Sequence, residues 1–150
     1  MRIERSIDLP CGAEEVWAVL TDWERQADWM LDADAVEVTS EVREGIGVTL
    51  AVFTRLFQVP AFTETIEVVV WAPPTELVIA HGPPVVGRGI WALEEHDGGT
   101  RFTWTEEVVL AASVLGGMVS ACYAPALGAL MRRSLRGLRD SIIARGPVRR

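Results

Sequence analysis

The segment GGMVSACYAPALGALMRR, residues 116–133, decides the fold, because it can be read in three ways. It belongs to an uncharged run, residues 108–131, that approaches the roughly 20 residues of a membrane-spanning helix. The first residues of that run, however, continue a strand-like pattern, and the rest is dominated by Ala, Gly and Ser. This composition favours a helix that packs in a core or forms the wall of a pocket.

Helical periodicity extends beyond this segment and predicts a helix from about residue 118 to 144, with Pro125 in its first turns or at a kink. One stripe at spacings of three and four consists of Tyr123, Leu127, Leu130, Ser134, Leu138 and Ile142. The first half of the helix carries small side chains, from Gly116 and Ser120 to Gly128. Small residues either let the helix lie close to a sheet or leave a cavity, and both alternatives stay open at this point.

The preceding chain alternates strands with turn signals. Residues 2–9 predict a strand, residues 13–20 a helix, and residues 23–30 a second short helix that Asp22 can cap. Six further strands are predicted at residues 35–41, 47–57, 61–71, 76–82, 87–95 and 100–110. Short connections imply antiparallel pairing, so we expect an α+β fold with a curved sheet of about seven strands and one long C-terminal helix.

Composition narrows the class of protein. The 150 residues suit a single domain spanning residues 1–150, and the net charge of −7 argues against nucleic acid as a partner. All basic residues are Arg, which indicates a GC-rich and, we expect, bacterial gene. The N-terminus lacks the apolar core of a signal peptide, and Cys11 and Cys122 form no metal-binding or redox motif, so we expect a cytoplasmic protein with reduced thiols.

Four stretches carry a family resemblance: EEVWAVLTDWERQADWM (14–30), VVVWAPPTELVIA (68–80), DGGTRFTWTEEV (97–108) and APALGALMRRSLRGLRDSI (124–142). They resemble the SRPBCC superfamily, which includes START-type lipid-transfer domains, birch-pollen-allergen-like proteins and the polyketide cyclase/dehydrase family. The resemblance implies a helix-grip fold, in which the sheet wraps around the C-terminal helix and an apolar cavity lies between them. Members bind lipids, sterols, quinones or polyketides, and some catalyse cyclisation or dehydration.

Strand parity then predicts which side chains face that cavity. The turn at residues 97–100 places Trp91 opposite Trp104 and, continuing by twos, Glu106 opposite Gly89. In the preceding hairpin, Leu77 and Ile79 pair with Val70 and Val68, which puts His81 and Glu64 on the same face. The candidate catalytic residues are therefore Glu64, His81, Glu106 and Tyr123. The candidate ligand-binding residues are Trp29, Val52, Ile66, Val68, Ile79, Trp91, Phe102, Trp104, Leu127 and Leu130.

Structural alternatives exist for each candidate catalytic residue. His81 precedes Gly-Pro-Pro, where a strand can end in solvent, and a bulge would turn Glu106 outward. Tyr123 can simply pack with its hydroxyl bonded to the backbone. The only other histidine is His96, so no metal site is expected, and no nucleotide-binding or Ser-nucleophile motif occurs.

Three functional hypotheses follow. The first is a polyketide cyclase/dehydrase-like enzyme that uses acid–base residues in the cavity. The second is a non-catalytic carrier of an apolar small molecule such as a polyketide, lipid or quinone. The third is a partner-binding protein with a filled core. We expect no cofactor, no metal, no stable membrane insertion, and a monomer or homodimer.

Overall fold

The computed structural model describes residues 1–56, 59–110 and 117–146. The strands are β1 Arg2–Leu9, β2 Ala33–Val38, β3 Thr49–Leu56, β4 Val59–Ala72, β5 Glu76–His81, β6 Val85–His96 and β7 Gly99–Leu110. The helices are α1 Ala13–Leu20, a 3₁₀ helix Trp23–Asp28, and α2 Gly117–Arg145. The predicted order of elements is confirmed, with strand ends within three residues of those expected.

The seven strands form one antiparallel sheet in the order β1-β7-β6-β5-β4-β3-β2. The sheet is curved, and the long helix α2 lies against its concave face, as in the expected helix-grip arrangement. Residues alternate across each strand, so one face of the sheet supplies the core and the other is exposed. The α+β fold class is thus confirmed.

Helix α1 forms where the sequence supplies an amphipathic pattern and favourable first-turn charges. Glu14 and Glu15 lie in the first turn, where carboxylates stabilise the positive end of the helix dipole. Val16, Trp17 and Leu20 are buried on the inner face. The helix ends at Thr21, whose hydroxyl donates to the carbonyl of Trp17 at 2.8 Å.

Helix α2 is held against the rest of the fold by its second half. Met131, Leu135 and Leu138 are buried, whereas Leu127 and Leu130 are only half-buried. Met131 thus takes the buried position predicted for Leu130, whereas Ser134, Leu138 and Ile142 are buried as predicted. Gly137 faces the backbone of Trp29, where a Cβ would lie 3.2 Å from the carbonyl oxygen. Gly116 lies outside the described residues, as do the side chains of residues 117–122, so the predicted small-residue wall is described only from Tyr123 onward.

Two local expectations are wrong. Asp22 occupies the N-cap position of the 3₁₀ helix, but its side chain makes no capping hydrogen bond. Leu77 pairs with Trp71 rather than with Val70, because a register shift between Val68 and Val70 adds a residue to β4. Val68 lies on the unshifted side of this irregularity and still pairs with Ile79 as expected.

Candidate functional site

Three strands bring Glu64, His81 and Glu106 together on the concave face of the sheet. Glu64 lies on β4, His81 is the last residue of β5, and Glu106 lies on β7. His81 and Glu106 are separated by the intervening strand β6, whose residues opposite them are Gly87 and Gly89. Because these glycines have no side chains, the imidazole and the carboxylate can meet across the backbone of β6.

A side chain at either position of β6 would collide with or crowd a group on β7. A Cβ on Gly87, whose φ is +150°, would overlap the carbonyl oxygen of Glu107. A Cβ on Gly89 would lie 3.0 Å from Oε1 of Glu106. Strand-interior glycines of this kind mark close approach of other groups. The sequence Gly87-Arg88-Gly89 could have indicated this close approach, but the alternation of inward and outward residues alone did not predict it.

His81 is clamped between the two carboxylates. Its Nδ1 lies 2.6 Å from Oε1 of Glu64, and its Nε2 lies 2.9 Å from Oε2 of Glu106. All three side chains are 10% exposed or less. Burial alone would lower the pKa of His81, but the hydrogen bonds and negative charges of Glu106 and Glu64 outweigh it and raise the pKa to about 10. At neutral pH His81 is therefore an imidazolium that donates from both ring nitrogens.

Trp104 connects this charged group to the aromatic part of the core. Its indole N–H donates to Oε1 of Glu106 at 2.6 Å, so both oxygens of Glu106 accept a hydrogen bond. The ring of Trp104 contacts Trp29 and Trp91 with centroid distances of 6.3 Å. Such edge-on packing holds the indole, and with it the carboxylate, in one orientation.

Two further ionisable groups, Asp32 and Tyr123, line the same cavity. Burial raises the pKa of Asp32 to about 6, and the negative charges of Glu106 and Glu64 add to this shift. Burial likewise raises the pKa of Tyr123 to about 12, with contributions from Asp32, Glu64 and Glu106. Tyr123 is therefore a neutral phenol, and its hydroxyl makes no hydrogen bond to the part of the chain that the structure describes.

Sequence reasoning missed Asp32. It lies between the 3₁₀ helix and β2, where a carboxylate reads as an ordinary loop residue. Its backbone position is nevertheless well defined, since its carbonyl accepts from the amide of Arg55 at 2.8 Å. No sequence signal singled it out, because the predicted strand begins at residue 35 and both Asp32 and Asp34 precede it.

The cavity lies between the sheet, helix α2 and the segment around the 3₁₀ helix, and its volume is about 90 Å³. The candidate ligand-binding residues that line it are Val52, Ile66, Ile79, Trp91, Trp104 and Leu127. Trp29, Val68 and Phe102 are packed in the core instead, and Leu130 is half-buried away from the cavity wall. Pockets for drug-sized ligands begin near about 300 Å³. The observed space thus suits a small organic molecule or a few waters.

The structural alternatives for the charged residues can now be judged. The exposed alternative for His81 does not hold, because the side chain is buried between two carboxylates. No bulge interrupts β7 before Glu106, so Glu107 takes the outward position and pairs with Arg88 at 2.6 Å. In the described part of the chain, no group of three His, Cys, Asp or Glu side chains has a metal-binding arrangement. The helices that the structure describes include none with the length and hydropathy of a membrane span.

The chain belongs to the family described as polyketide cyclase / dehydrase and lipid transport, whose profile it matches over residues 1–142. This helix-grip family defines the class of protein. A comparison with curated protein sequences gives no significant match.

Solved structures share the fold at low sequence identity. The protein TTHA0849 from Thermus thermophilus superposes with a TM-score of 0.81 at 16% identity, covering 98% of this chain and 100% of that one. The ZhuI aromatase/cyclase from Streptomyces sp. R1128 gives 0.76 at 17%, covering 99% and 96%. The di-domain ARO/CYC StfQ from the steffimycin biosynthetic pathway gives 0.77 at 13%, covering 96% of this chain and 51% of that one.

Proposed function

We propose that the protein binds a small apolar carbonyl compound in this cavity and catalyses acid–base chemistry at its carbonyl end, of the kind used in cyclisation or dehydration. The observation that carries the proposal is that Asp32, Glu64, His81, Glu106 and Tyr123 line one cavity whose other walls are mostly apolar. Burying ionised groups costs free energy, so a protein has no reason to place them there for packing alone.

The mixed lining of the cavity supports this choice. Aromatic and aliphatic side chains such as Trp91, Ile79 and Leu127 would contact the apolar part of the ligand. The neutral Tyr123 hydroxyl is a hydrogen-bond donor suited to a carbonyl oxygen or to the enolate that forms from it. Buried carboxyl groups would exchange protons with the carbon next to the carbonyl.

The carrier and partner-binding hypotheses do not explain the ionisable side chains in the cavity. A carrier of an apolar cargo needs shape and apolar area, and it has no use for five ionisable side chains around that cargo. A partner-binding protein with a filled core would have no cavity at the charged cluster. The names of the similar cyclase structures agree with enzymatic chemistry, although the fold likeness by itself does not assign it.

The test uses acetophenone, a one-ring ketone whose methyl protons exchange with solvent only through the enol or enolate. Binding is followed by ligand-observed saturation-transfer NMR, and exchange by loss of the methyl signal in D₂O. We expect saturable binding and an exchange rate that depends on protein concentration. Absence of binding, or exchange no faster than in buffer, would overturn the proposal.

Two matched variants on α2 locate the activity. Leu127 and Leu130 are both half-buried, but only Leu127 lines the cavity. Leu127→Phe fills part of the cavity and should reduce binding and exchange at least tenfold. Leu130→Phe adds the same volume elsewhere on the helix and should leave both within about twofold. Equal effects of the two variants would place the binding site outside this cavity.

A further inference from the structure

The hydrogen bonds of the charged cluster leave His81 with no free donor or acceptor. Both ring nitrogens are bound to carboxylates, at 2.6 and 2.9 Å. Transfer of a proton from His81 to a ligand would require breaking one of these charge-assisted bonds in a buried site. His81 is therefore suited to hold Glu64 and Glu106 in place and to offset part of their charge.

Glu106 is similarly occupied. One of its oxygens accepts from His81 and the other from the indole of Trp104. Oε1 of Glu64 is bound to the same imidazolium. Both ring nitrogens of His81 and both oxygens of Glu106 are thus engaged within this network.

Asp32 differs from them in its contacts. It lies on the cavity wall, and its carboxyl forms no ion pair or hydrogen bond with another side chain in the described ranges. The chain on either side is nevertheless anchored. Its carbonyl is bound by the amide of Arg55 on β3, and the amide of Leu31 donates to the hydroxyl of Ser134 on α2 at 3.1 Å. The Asp32 carboxylate also accepts a hydrogen bond from the backbone of its own residue. A carboxyl that no other side chain engages, on a fixed backbone, is the arrangement that a group exchanging protons with a ligand needs.

We propose that Asp32 is the catalytic base and acid of this cavity, and that Glu64, His81 and Glu106 are positioning residues. This inference rests on the proposed function and assigns the proton-transfer step within it. The groups that face Asp32 are Glu64 on β4, His81 on β5, Glu106 on β7 and Tyr123 on α2. The adjacent Arg55 is engaged by Asp34 at 2.8 Å.

The step balances with the residues present. The Asp32 carboxylate removes a proton from the carbon next to the carbonyl, and the C–H electron pair forms the C=C bond of the enolate. The carbonyl π pair moves to the oxygen, which accepts a hydrogen bond from Tyr123. In the hydrogen–deuterium exchange assay, protonated Asp32 exchanges its proton with D₂O and then returns a deuteron to the carbon. In a cyclisation the same carbon would attack a second carbonyl of the ligand, whose oxygen takes the proton from Asp32.

The pKa of Asp32 is consistent with this role. Burial and the charges of Glu106 and Glu64 raise it to about 6, near the pH at which a base is both available and effective. His81, with a pKa of about 10, would seldom be in its basic form at neutral pH. The exchange rate should therefore rise through about pH 6 and level off above it.

The experiment compares Asp32→Asn with Asp34→Asn. Both variants replace one carboxylate by an amide, but Asp34 lies two residues away and pairs with Arg55 outside the cavity wall. We expect Asp32→Asn to bind acetophenone within about threefold of the unmodified chain and to slow methyl exchange by about 10²–10⁴-fold. Asp34→Asn should keep both properties and the rise near pH 6.

The outcomes separate this inference from the proposed function. If Asp32→Asn exchanges at the rate of the unmodified chain, the assignment of Asp32 is overturned while the proposed function stands. If Asp32→Asn loses binding and exchange to the same extent, Asp32 is a binding residue and not the base. If the unmodified chain binds acetophenone but catalyses no exchange, the catalytic part of the proposed function fails, and the inference fails with it.

Discussion

At the scale of the single residue, His81 takes its charge state from carboxylates 17 and 25 positions away in the sequence. Strand parity indicated the correct face for all three side chains, because inward and outward residues alternate regularly between the bulges. Strand parity does not predict the distances between these side chains, however. Glu106 reaches His81 because the strand between them carries Gly87 and Gly89, which have no side chains to stand in the way.

The protonation of His81 is directly measurable. We expect its imidazole C–H signals in ¹H NMR to titrate with a pKa of about 10, far above the ordinary 6.5, because two carboxylates stabilise the charged form. Glu106→Gln removes one of them and should lower this pKa by one unit or more. The only other histidine is His96, so a His96→Gln variant identifies the signals. A His81 that titrates near pH 6.5 would contradict the clamped geometry.

At the scale of the element, helix α2 shows that a hydrophobic stripe predicts where a helix lies in the chain more accurately than which of its faces is buried. The predicted stripe places the helix correctly in the chain and Ser134 is buried as expected, yet Met131 is buried where Leu130 is only half-buried. The orientation is decided by contacts that are distant in sequence. Gly137 allows the approach of Trp29, and the Ser134 hydroxyl accepts from the amide of Leu31.

The bond between Ser134 and Leu31 predicts a measurable loss of stability. Ser134→Ala removes the acceptor and should lower the free energy of unfolding by about 1 kcal/mol, since the Leu31 amide is then left without its partner in a partly buried position. Ser141→Ala is the matched control, because Ser141 lies half-buried on the same helix. Chemical denaturation would show the difference. An equal effect of the two substitutions would mean that the hydrogen bond contributes nothing beyond the packing of a hydroxyl.

At the scale of the whole molecule, the buried charges make global stability depend on pH. Asp32 has a pKa of about 6 in the folded protein against about 3.8 unfolded, so ionising it is harder in the folded state. Its contribution favours the folded state most below pH 3.8 and is lost as the pH rises through about 6. The stability lost at higher pH is the free energy needed to ionise a carboxyl in a desolvated cavity.

Asp32→Asn should therefore stabilise the protein in a pH-dependent manner. At pH 8 the variant avoids the buried negative charge, and we expect its free energy of unfolding to exceed that of the unmodified chain by about 1–3 kcal/mol. At pH 4 the carboxyl is largely protonated in the folded state, and the difference should shrink towards zero. Denaturation at the two pH values, with Asp34→Asn as control, tests this. A gain of equal size at both pH values would exclude the raised pKa as its cause.

The sequence by itself determined the elements and the general arrangement of this protein. Alternating strands, turn residues and one long amphipathic helix define an α+β helix-grip fold, because local periodicity and turn chemistry are properties of neighbouring residues. The tertiary structure alone decided the site. His81 contacts Glu64 on the neighbouring strand and Glu106 across the glycines of β6, and Asp32 joins them from a loop anchored to both sheet and helix. These contacts depend on the curvature of the sheet and on the packing of α2, which long-range interactions set and no local pattern encodes.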